Sequence, residues 1–297
     1  MALLSVEQKI TNRKKIGLII QGQDVNANQK LIEGIKQSLD LETVELKILL
    51  TDNKFAYERK CLLSITENFD ALIIDGVKAS IMNPNLDCYL RFYQQGMRVI
   101  FYNNYYRDIP FPKIINNDHL CADKLIEILT KNGHSHIADI FLFDNYQGIE
   151  KYKGYVSSLL KYRAHFEDKY VKWCISDDTT DKNPFSRTLI KFLKSFPHCT
   201  AIVCCNYMLL QLVYELLTQI GKKVPDDYSV VCFDYSNSDW RERSVTSSIH
   251  PGFEMGLEIG KRIIRMIEDK DYKKHDYSYT FQPFIFEGSS VKNMNSK

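Results

Sequence analysis

Amides, carboxylates and one lysine recur along this chain just after short apolar runs. In chain order these polar residues are Gln21, Asp24, Asp75, Lys78, Asn103, Asn104, Asp144, Gln147, Asn206 and Asp234. Amides and carboxylates suit the hydroxyls of a sugar or another polyol, because each hydroxyl both donates and accepts hydrogen bonds. The residue types therefore point to the binding of a small polar molecule.

Asp234 shows the pattern most sharply, in the stretch SVVCFDYSN. An apolar run leads straight into this carboxylate, which would bind a ligand hydroxyl if it ends a buried strand. The alternative is an aspartate that begins a turn and caps its own backbone. The residues alone leave both interpretations open.

No assembled set of catalytic residues is visible. The chain lacks the G-x-S-x-G, G-x-x-x-x-G-K-[ST] and G-x-G-x-x-G motifs of acyl transfer, nucleotide hydrolysis and dinucleotide binding. Cys204 and Cys205 have no base nearby in sequence, which favours structural thiols over a nucleophile. Asp75 and Asp234 could form the carboxylate pair of a hydrolase, but nothing in the sequence sets their separation. We predict no catalytic residue.

The histidines and cysteines do not have the spacing of a metal site. His134 and His136 lie in NGHSHIADI, at an expected helix-to-strand turn, and no C-x-x-C pair is present. We therefore predict neither a metal nor a cofactor. His250, in SSIHPG, precedes a proline at an expected helix start, where it could form a wall of the binding site.

Composition limits the partners and the compartment. The 297 residues include 39 basic and 37 acidic side chains, which argues against a nucleic-acid-binding surface on this chain. No apolar run approaches the roughly 18 residues of a membrane span, and Met1–Lys15 has too short an apolar cluster for a signal peptide. The chain is thus expected to be cytoplasmic, with its eight cysteines reduced.

Apolar runs alternate with helical patterns along the chain. The runs IGLII, DALIIDG, RVIFYNN, HIADIFLF, YVKWCIS, TAIVCCN and SVVCFD predict strands. The segments CLLSITENF, CYLRFYQQG, CADKLIEILTKNG, GYVSSLLKYR, RTLIKFLKSF and YMLLQLVYELLTQIG predict helices. Phe253–Glu268 predicts a long amphipathic helix, Tyr277–Phe286 a strand, and Lys292–Lys297 a frayed end.

This alternation predicts an α/β fold. Apolar runs joined by helices are typical of parallel sheets covered on both faces. About eight strand–helix units exceed one sheet, so two lobes are expected. Ligands of such sheets bind beyond the carboxyl ends of the strands, where the polar residues above fall.

The succession of motifs resembles the effector-binding region of the lactose/galactose repressor (LacI/GalR) family. It runs from KIGLII through DALIIDG, GMRVIFYNN and KNGHSHIADI to TAIVCCNYMLL, VPDDYSVVCFDYS and VTSSIHPGFEMGLEIGKRII, about residues 16 to 290. SIMNPNLDCYLRFYQQG, and DNYQG followed by GY, most closely resemble arabinose-responsive repressors of the AraR type, which join a GntR-type winged helix to this module.

The resemblance implies two Rossmann-like lobes with parallel sheets joined by three crossovers, the type I architecture of periplasmic binding proteins. The N-terminal lobe would comprise 16–115 plus 237–281, and the C-terminal lobe 116–236 plus 282–297. Residues 1–15 would be the stub of a linker. A small sugar such as L-arabinose would bind between the lobes, and the module would form a homodimer.

The resemblance also assigns site residues. Asp234 matches the strand-end aspartate that binds a sugar hydroxyl, and Asn206 matches the asparagine after TAIVC. Lys151 stands where the family usually has an arginine, His250 lies at a pocket-lining position, and Asn28 replaces a stacking aromatic. Further departures are Tyr207 and Tyr235 in place of aspartates and Cys121 in place of a glycine.

The implied function is sugar sensing by a transcriptional regulator. In the family a DNA-binding head precedes this module, whereas about fifteen residues precede IGLII here, so the head is expected to be missing from the chain. One alternative is a stand-alone solute-binding protein. The other is a carbohydrate-active enzyme on the same scaffold.

Overall fold

The computed structural model describes residues 13–22, 28–65, 68–180, 182–196, 198–235 and 244–295. The chain forms two compact units. The first holds the chain up to Ile115 together with Pro251–Phe281, and the second holds Asn116–His250 together with the residues from Gln282 onward.

The first unit is built on a six-stranded sheet. Its strands are β1 (Lys14–Ile20), β2 (Val44–Leu50), β3 (Ala71–Ile74), β4 (Arg98–Tyr102), β5 (Lys113–Asn116) and β11 (Tyr279–Phe281), in the order β11-β5-β4-β3-β1-β2. The pairs β2–β1, β1–β3, β3–β4 and β4–β5 are parallel. Its helices are α1 (Gln29–Ser38), α2 (Phe55–Leu63), α3 (Leu86–Gln95) and α9 (Gly252–Glu268).

The second unit repeats this plan. Its strands are β6 (Ile137–Leu142), β7 (Val171–Cys174), β8 (Ala201–Cys204), β9 (Ser229–Tyr235), β10 (Thr246–Ile249) and β12 (Phe284–Phe286), in the order β12-β10-β9-β8-β6-β7. Only β12 is antiparallel to its neighbour among these described strands. The helices are α4 (Asp118–Lys131), α5 (Tyr146–Lys161), α6 (Ser176–Thr180), α7 (Lys182–Lys194) and α8 (Tyr207–Gln219).

Each unit has its own apolar core between sheet and helices. In the first, the side chains of Leu31, Ile32 and Ile35 on α1 are buried with those of Ile259 and Ile263 on α9. This matches the helical spacing of apolar residues in both segments. Within the described ranges, no helix is long and apolar enough to cross a membrane.

The predicted α/β fold with two lobes is confirmed. Parallel strands alternate with helices, and the chain crosses between the units three times. The end of α3 also follows the predicted pattern, because Gly96 adopts the left-handed conformation (φ 74°) that glycine reaches without steric cost.

Several elements differ from the predictions. The helix expected over CLLSITENF begins earlier and ends at Leu63, with Glu58 and Leu62, one turn apart, on its buried face. β2 was not predicted, because it lies at a sheet edge where exposed and covered residues alternate instead of forming an apolar run. β10 (TSSI) was missed for a different reason: it lies inside its sheet, but three of its four residues carry hydroxyl groups, so it does not read as an apolar run.

The crossing expected at 236/237 lies after His250. β10 pairs in parallel with β9, with Thr246 opposite Val231, so this strand stays in the second unit. The predicted strand Tyr277–Phe286 is divided, because β11 joins the first sheet and β12 the second. The segment expected to be frayed, Lys292–Lys297, is attached to the second unit in its described part. The backbone N–H of Met294 donates to the carbonyl oxygen of Asn132 at 2.8 Å.

Candidate ligand-binding site

In the second unit, Lys151 on α5 reaches the carboxyl ends of the strands. Its side chain is 3% exposed, and its ammonium group donates to the carboxylate of Asp234 and, at 3.2 Å, to the carbonyl oxygen of Cys205. α5 begins close to β6, because Gly148 leaves no room for a Cβ against the carbonyl oxygen of Leu142. This close approach places the first turns of the helix over the strand ends.

Lys151 is surrounded by acidic groups. Burial lowers the pKa of the Lys151 ammonium, but the nearby carboxyl groups of Asp234 and Asp118 outweigh that effect and raise its pKa overall. Burial raises the pKa of Asp118 to about 8, against the opposing charge of Lys151. At neutral pH Lys151 thus carries its charge beside Asp234, and Asp118 is largely protonated.

Asp234 is held in an uncommon backbone conformation. Its φ of 52° lies in the left-handed region, and its backbone N–H donates to Ser248 Oγ on β10 at 3.2 Å. Such conformations cost energy and cluster at functional sites. The carboxylate oxygen Oδ2 is bonded to Lys151, a residue 83 positions away in sequence. That long-range contact favours the binding-site interpretation over a local backbone cap.

At the end of β5, the start of α4 and the end of β9, three buried amide and carboxyl oxygens have no hydrogen-bond partner among the described residues. They are Oδ1 of Asn116, Oδ1 of Asp118 and Oδ1 of Asp234. The Asn116 amide nitrogen donates to Cys121 Sγ at 3.5 Å, so its oxygen is the atom left over. Buried polar atoms without partners cost roughly 1–3 kcal/mol each. A ligand that donates hydrogen bonds would recover that energy.

Asn206 lies beside this group. Its amide oxygen caps α8 by accepting from Leu209 N at 2.9 Å, and the preceding carbonyl, of Cys205, binds Lys151. The rings of Tyr207 and Tyr235 pack perpendicular to each other with centroids 5.3 Å apart. These tyrosines, which stand where the family has aspartates, hold the ends of β8 and β9 together. The side-chain amide of Gln147, in the first turn of α5, lowers the pKa of Asp118 and so acts against the effect of burial.

In the first unit, three of the predicted residues come together. Oδ1 of Asp75, just after β3, accepts from Asn104 Nδ2 at 3.0 Å and from Gln21 Nε2 at 3.2 Å. The backbone N–H of Gly76 donates to the carbonyl oxygen of Asn104 at 2.9 Å, which joins the two strand ends. Burial raises the pKa of Asp75 to about 7 despite the Asn104 hydrogen bonds, which lower it.

This raised pKa predicts a loss of stability with rising pH. An aspartate in the unfolded chain has a pKa of about 3.9, so between about pH 4 and 7 the folded state binds more protons than the unfolded state does. The contribution of Asp75 is thus present in full below about pH 4 and lost as pH rises through about 7. Relative to Asp75→Asn, the wild-type free energy of unfolding should fall by up to about 1.4 kcal/mol per pH unit across this window.

Urea denaturation of both proteins from about pH 4 to about pH 8 measures that difference. Burial also raises the pKa values of Asp118 and Asp139. Both residues are present in the two proteins, so their contributions to the pH dependence cancel in the difference. A difference that stays constant with pH contradicts the prediction.

Three more of the predicted residues, Lys78, Asn28 and His250, lie in described parts of the chain. The backbone of Lys78 adopts a left-handed conformation (φ 43°), and its N–H donates to Asn53 Oδ1 at 3.2 Å. Asn28 precedes α1 without a capping hydrogen bond from its side chain, and His250 follows β10 as the last residue before the chain returns to the first unit. Asp24 falls outside the described residues.

Sequence reasoning missed Asn116 and Asp118. The available signal was the polar run NND directly after the apolar residues of β5.

Asp144, noted as a strand-end residue, has a structural role, because it accepts from Ser176 N at 3.0 Å where α6 begins. In the described part of the chain, no group of three or more histidine, cysteine or acidic side chains could hold a metal ion.

Comparisons with known proteins agree with this geometry. The family model of the periplasmic binding protein-like domain matches residues 126–290. Arabinose metabolism transcriptional repressors of Halalkalibacterium halodurans and Geobacillus stearothermophilus are 29% and 27% identical, over 87% and 89% of this chain and 69% and 73% of the repressors. A LacI family regulator from Enterococcus faecium, solved with bound ribose, shares the fold with a TM-score of 0.75 and 19% identity, over 95% of this chain and 100% of that one.

These relatives are transcriptional repressors, in agreement with the prediction that the chain is not an enzyme. The family match spans more than half of the 297 residues. The chain therefore belongs to the periplasmic binding protein-like domain family, as its resemblance to LacI/GalR effector-binding regions predicts.

Proposed function

We propose that this chain is the effector-binding module of a cytoplasmic transcriptional regulator, and that its effector is a small sugar such as L-arabinose, bound between the two lobes. The module works as a homodimer and controls the DNA binding of a head domain. Similarity to arabinose metabolism repressors over most of the chain supports the regulatory role. The regulator solved with ribose supports a sugar as the ligand class.

The observation that carries the proposal is the set of three buried oxygens without partners, on Asn116, Asp118 and Asp234. The oxygens of Asn116 and Asp234 need donors, whereas the protonated carboxyl group of Asp118 can donate or accept, and a sugar carries several hydroxyl groups that do both. Asn116 and Asp118 thus join Asp234 as proposed ligand-binding residues. In the first unit, Asp75, Asn104 and Gln21 form the matching polar set.

Signalling follows from population shift. A ligand changes the balance between two conformations of the module only by its differential affinity for them. A sugar that binds one conformation more tightly than the other therefore shifts the balance toward it. The DNA-binding head responds to that balance.

Calorimetric titration with neutral pentoses and hexoses tests the proposal. We expect one sugar of the panel to bind and to raise the melting temperature, since a ligand that binds the folded state stabilises it. The double variant Lys151→Met/Asp234→Leu, which replaces the charged pair by an apolar pair of similar size, should abolish the heat of binding. Lys153→Ala, on the same helix but in an exposed ion pair with Glu150, should bind like the wild type.

Two results oppose the proposal. If no sugar in the panel produces heat or a melting shift, the sensing role is wrong. If the double variant folds and still binds the sugar as tightly as the wild type, the ligand does not occupy the proposed site. Sedimentation equilibrium of the same samples tests the homodimer.

A further inference from the structure

Glu58, on α2, is a fully buried carboxyl group in the first unit. One of its oxygens, Oε1, accepts from the hydroxyl groups of Tyr89 and Tyr106, each at 2.7 Å. The other, Oε2, accepts from the amide nitrogens of Asn83 at 2.7 Å and Asn85 at 2.8 Å. Among the described residues no cation pairs with Glu58. Four neutral side-chain donors satisfy it, together with a longer contact of 3.5 Å from the backbone N–H of Val77 to Oε1.

These donors come from separate segments of the chain. Asn83 and Asn85 lie in the loop between β3 and α3, Tyr89 lies on α3, and Tyr106 follows β4. The hydroxyl of Tyr106 is also 2.8 Å from the carbonyl oxygen of Val77 and shares its one hydrogen between these two acceptors. Glu58 thereby connects both loops that leave the carboxyl ends of β3 and β4.

The same two loops carry the proposed ligand-binding residues of this unit. Val77 is two residues from Asp75, and Tyr106 is two residues from Asn104. The Asp75–Asn104 side-chain bond and the Gly76–Asn104 backbone bond span the two loops next to the Glu58 network. A change at Glu58 can thus alter the geometry of the ligand-binding pair without touching it.

Burying a carboxyl group has a large desolvation cost in free energy. An apolar side chain of similar size would avoid the cost of removing a polar group from water. A fully satisfied polar network, in contrast, selects one arrangement of the segments that donate to it. The four short hydrogen bonds at Glu58 are therefore best explained by the fixed geometry of the two loops.

We propose that Glu58 is a positioning residue, which holds the loops after β3 and β4 so that Asp75 and Asn104 lie in register for the ligand. The proposal rests on the proposed function for the identity of the ligand. The loop geometry itself is independent of that function. Two readouts, one with ligand and one without, therefore separate the two proposals.

The experiment compares Glu58→Gln with Leu62→Ala. Glutamine keeps the shape of the side chain but places an NH2 group against donors, whereas Leu62 is a fully buried residue one turn along α2 whose truncation costs general stability. Amide exchange is measured at Gly76 N–H, which bonds Asn104 O, and is divided by that at Phe101 N–H, in β4. Affinity for L-arabinose, or for the tightest binder of the sugar panel, is measured by calorimetry.

We expect Glu58→Gln to raise the ratio of Gly76 to Phe101 exchange rates about tenfold and to weaken sugar binding about tenfold. Leu62→Ala should leave both the exchange ratio and the sugar affinity unchanged. Tyr106→Phe, which removes one donor, should act in the same direction and replaces Glu58→Gln if that variant does not fold. Equal effects of the glutamine and Leu62 variants on Gly76 exchange overturn the positioning role. If the wild type binds no sugar, the proposed function fails, and the exchange ratio alone decides the role of Glu58.

Discussion

Replacing Lys151 with alanine is expected to lower the free energy of unfolding by about 3 to 5 kcal/mol. The ammonium group is buried, and its removal leaves the carboxylate of Asp234 next to a cavity with no cation to compensate it. The carbonyl oxygen of Cys205 loses a donor as well. Equilibrium denaturation in urea at pH 7 measures the change, with the midpoint and slope fitted separately.

The double variant Lys151→Met/Asp234→Leu shows whether the loss comes from the unpaired charge. An apolar pair of similar volume has no desolvation cost, so the double variant should regain most of the stability that Lys151→Ala loses. Lys153→Ala is the matched control, because its partner Glu150 is 2.7 Å away but Lys153 is 45% exposed. Its effect should stay within about 0.5 kcal/mol. Equal losses for Lys151→Ala and Lys153→Ala would show that the buried pair has no special role.

Most strands could be predicted from the sequence, because a strand buried on both faces of a parallel sheet reads as a continuous apolar run. β3 (ALII) and β8 (AIVC) are fully buried and follow this rule. β10 does not, since Thr246, Ser247 and Ser248 are buried hydroxyl residues. Their polar groups are satisfied inside the fold: Thr246 Oγ1, for example, donates to the carbonyl oxygen of Gly288 at 3.3 Å. No sequence pattern near β10 predicts such a hydrogen-bond partner.

The same limit applies to the candidate site. The residue pattern singled out Asp234 and the family resemblance singled out Lys151, but their direct ion pair joins residues 83 apart and depends on how α5 packs on the sheet. Glu58 lies in the helical segment FAYERKCLL, where a glutamate normally faces solvent. Its burial becomes understandable only once Tyr89 and Tyr106 donate to it from other segments. Local sequence shows which residues are polar, and tertiary packing decides which of them meet.

Asp139 offers the second large effect, in the opposite direction. It lies in the middle of β6, is fully buried, and neither of its carboxyl oxygens has a hydrogen-bond partner among the described residues. Burial raises the pKa of Asp139 well above its usual range, so the folded state binds this proton more tightly than the unfolded chain does. A polar group buried in this way costs roughly 1–3 kcal/mol by mutational data.

Replacing Asp139 with valine is therefore expected to raise the free energy of unfolding by about 2 kcal/mol at pH 7, because valine is apolar and favours strands. The gain should grow as pH rises above about 3.9, where an aspartate of the unfolded chain titrates, because the raised pKa of Asp139 makes the wild type lose stability with rising pH. Asp139→Asn separates the two causes: its amide does not titrate, so it removes the pH dependence, but it remains polar and buried and should lack the full gain of valine. If valine destabilises the protein at every pH, Asp139 makes a favourable contact in the core, and the cost assigned to its burial is wrong.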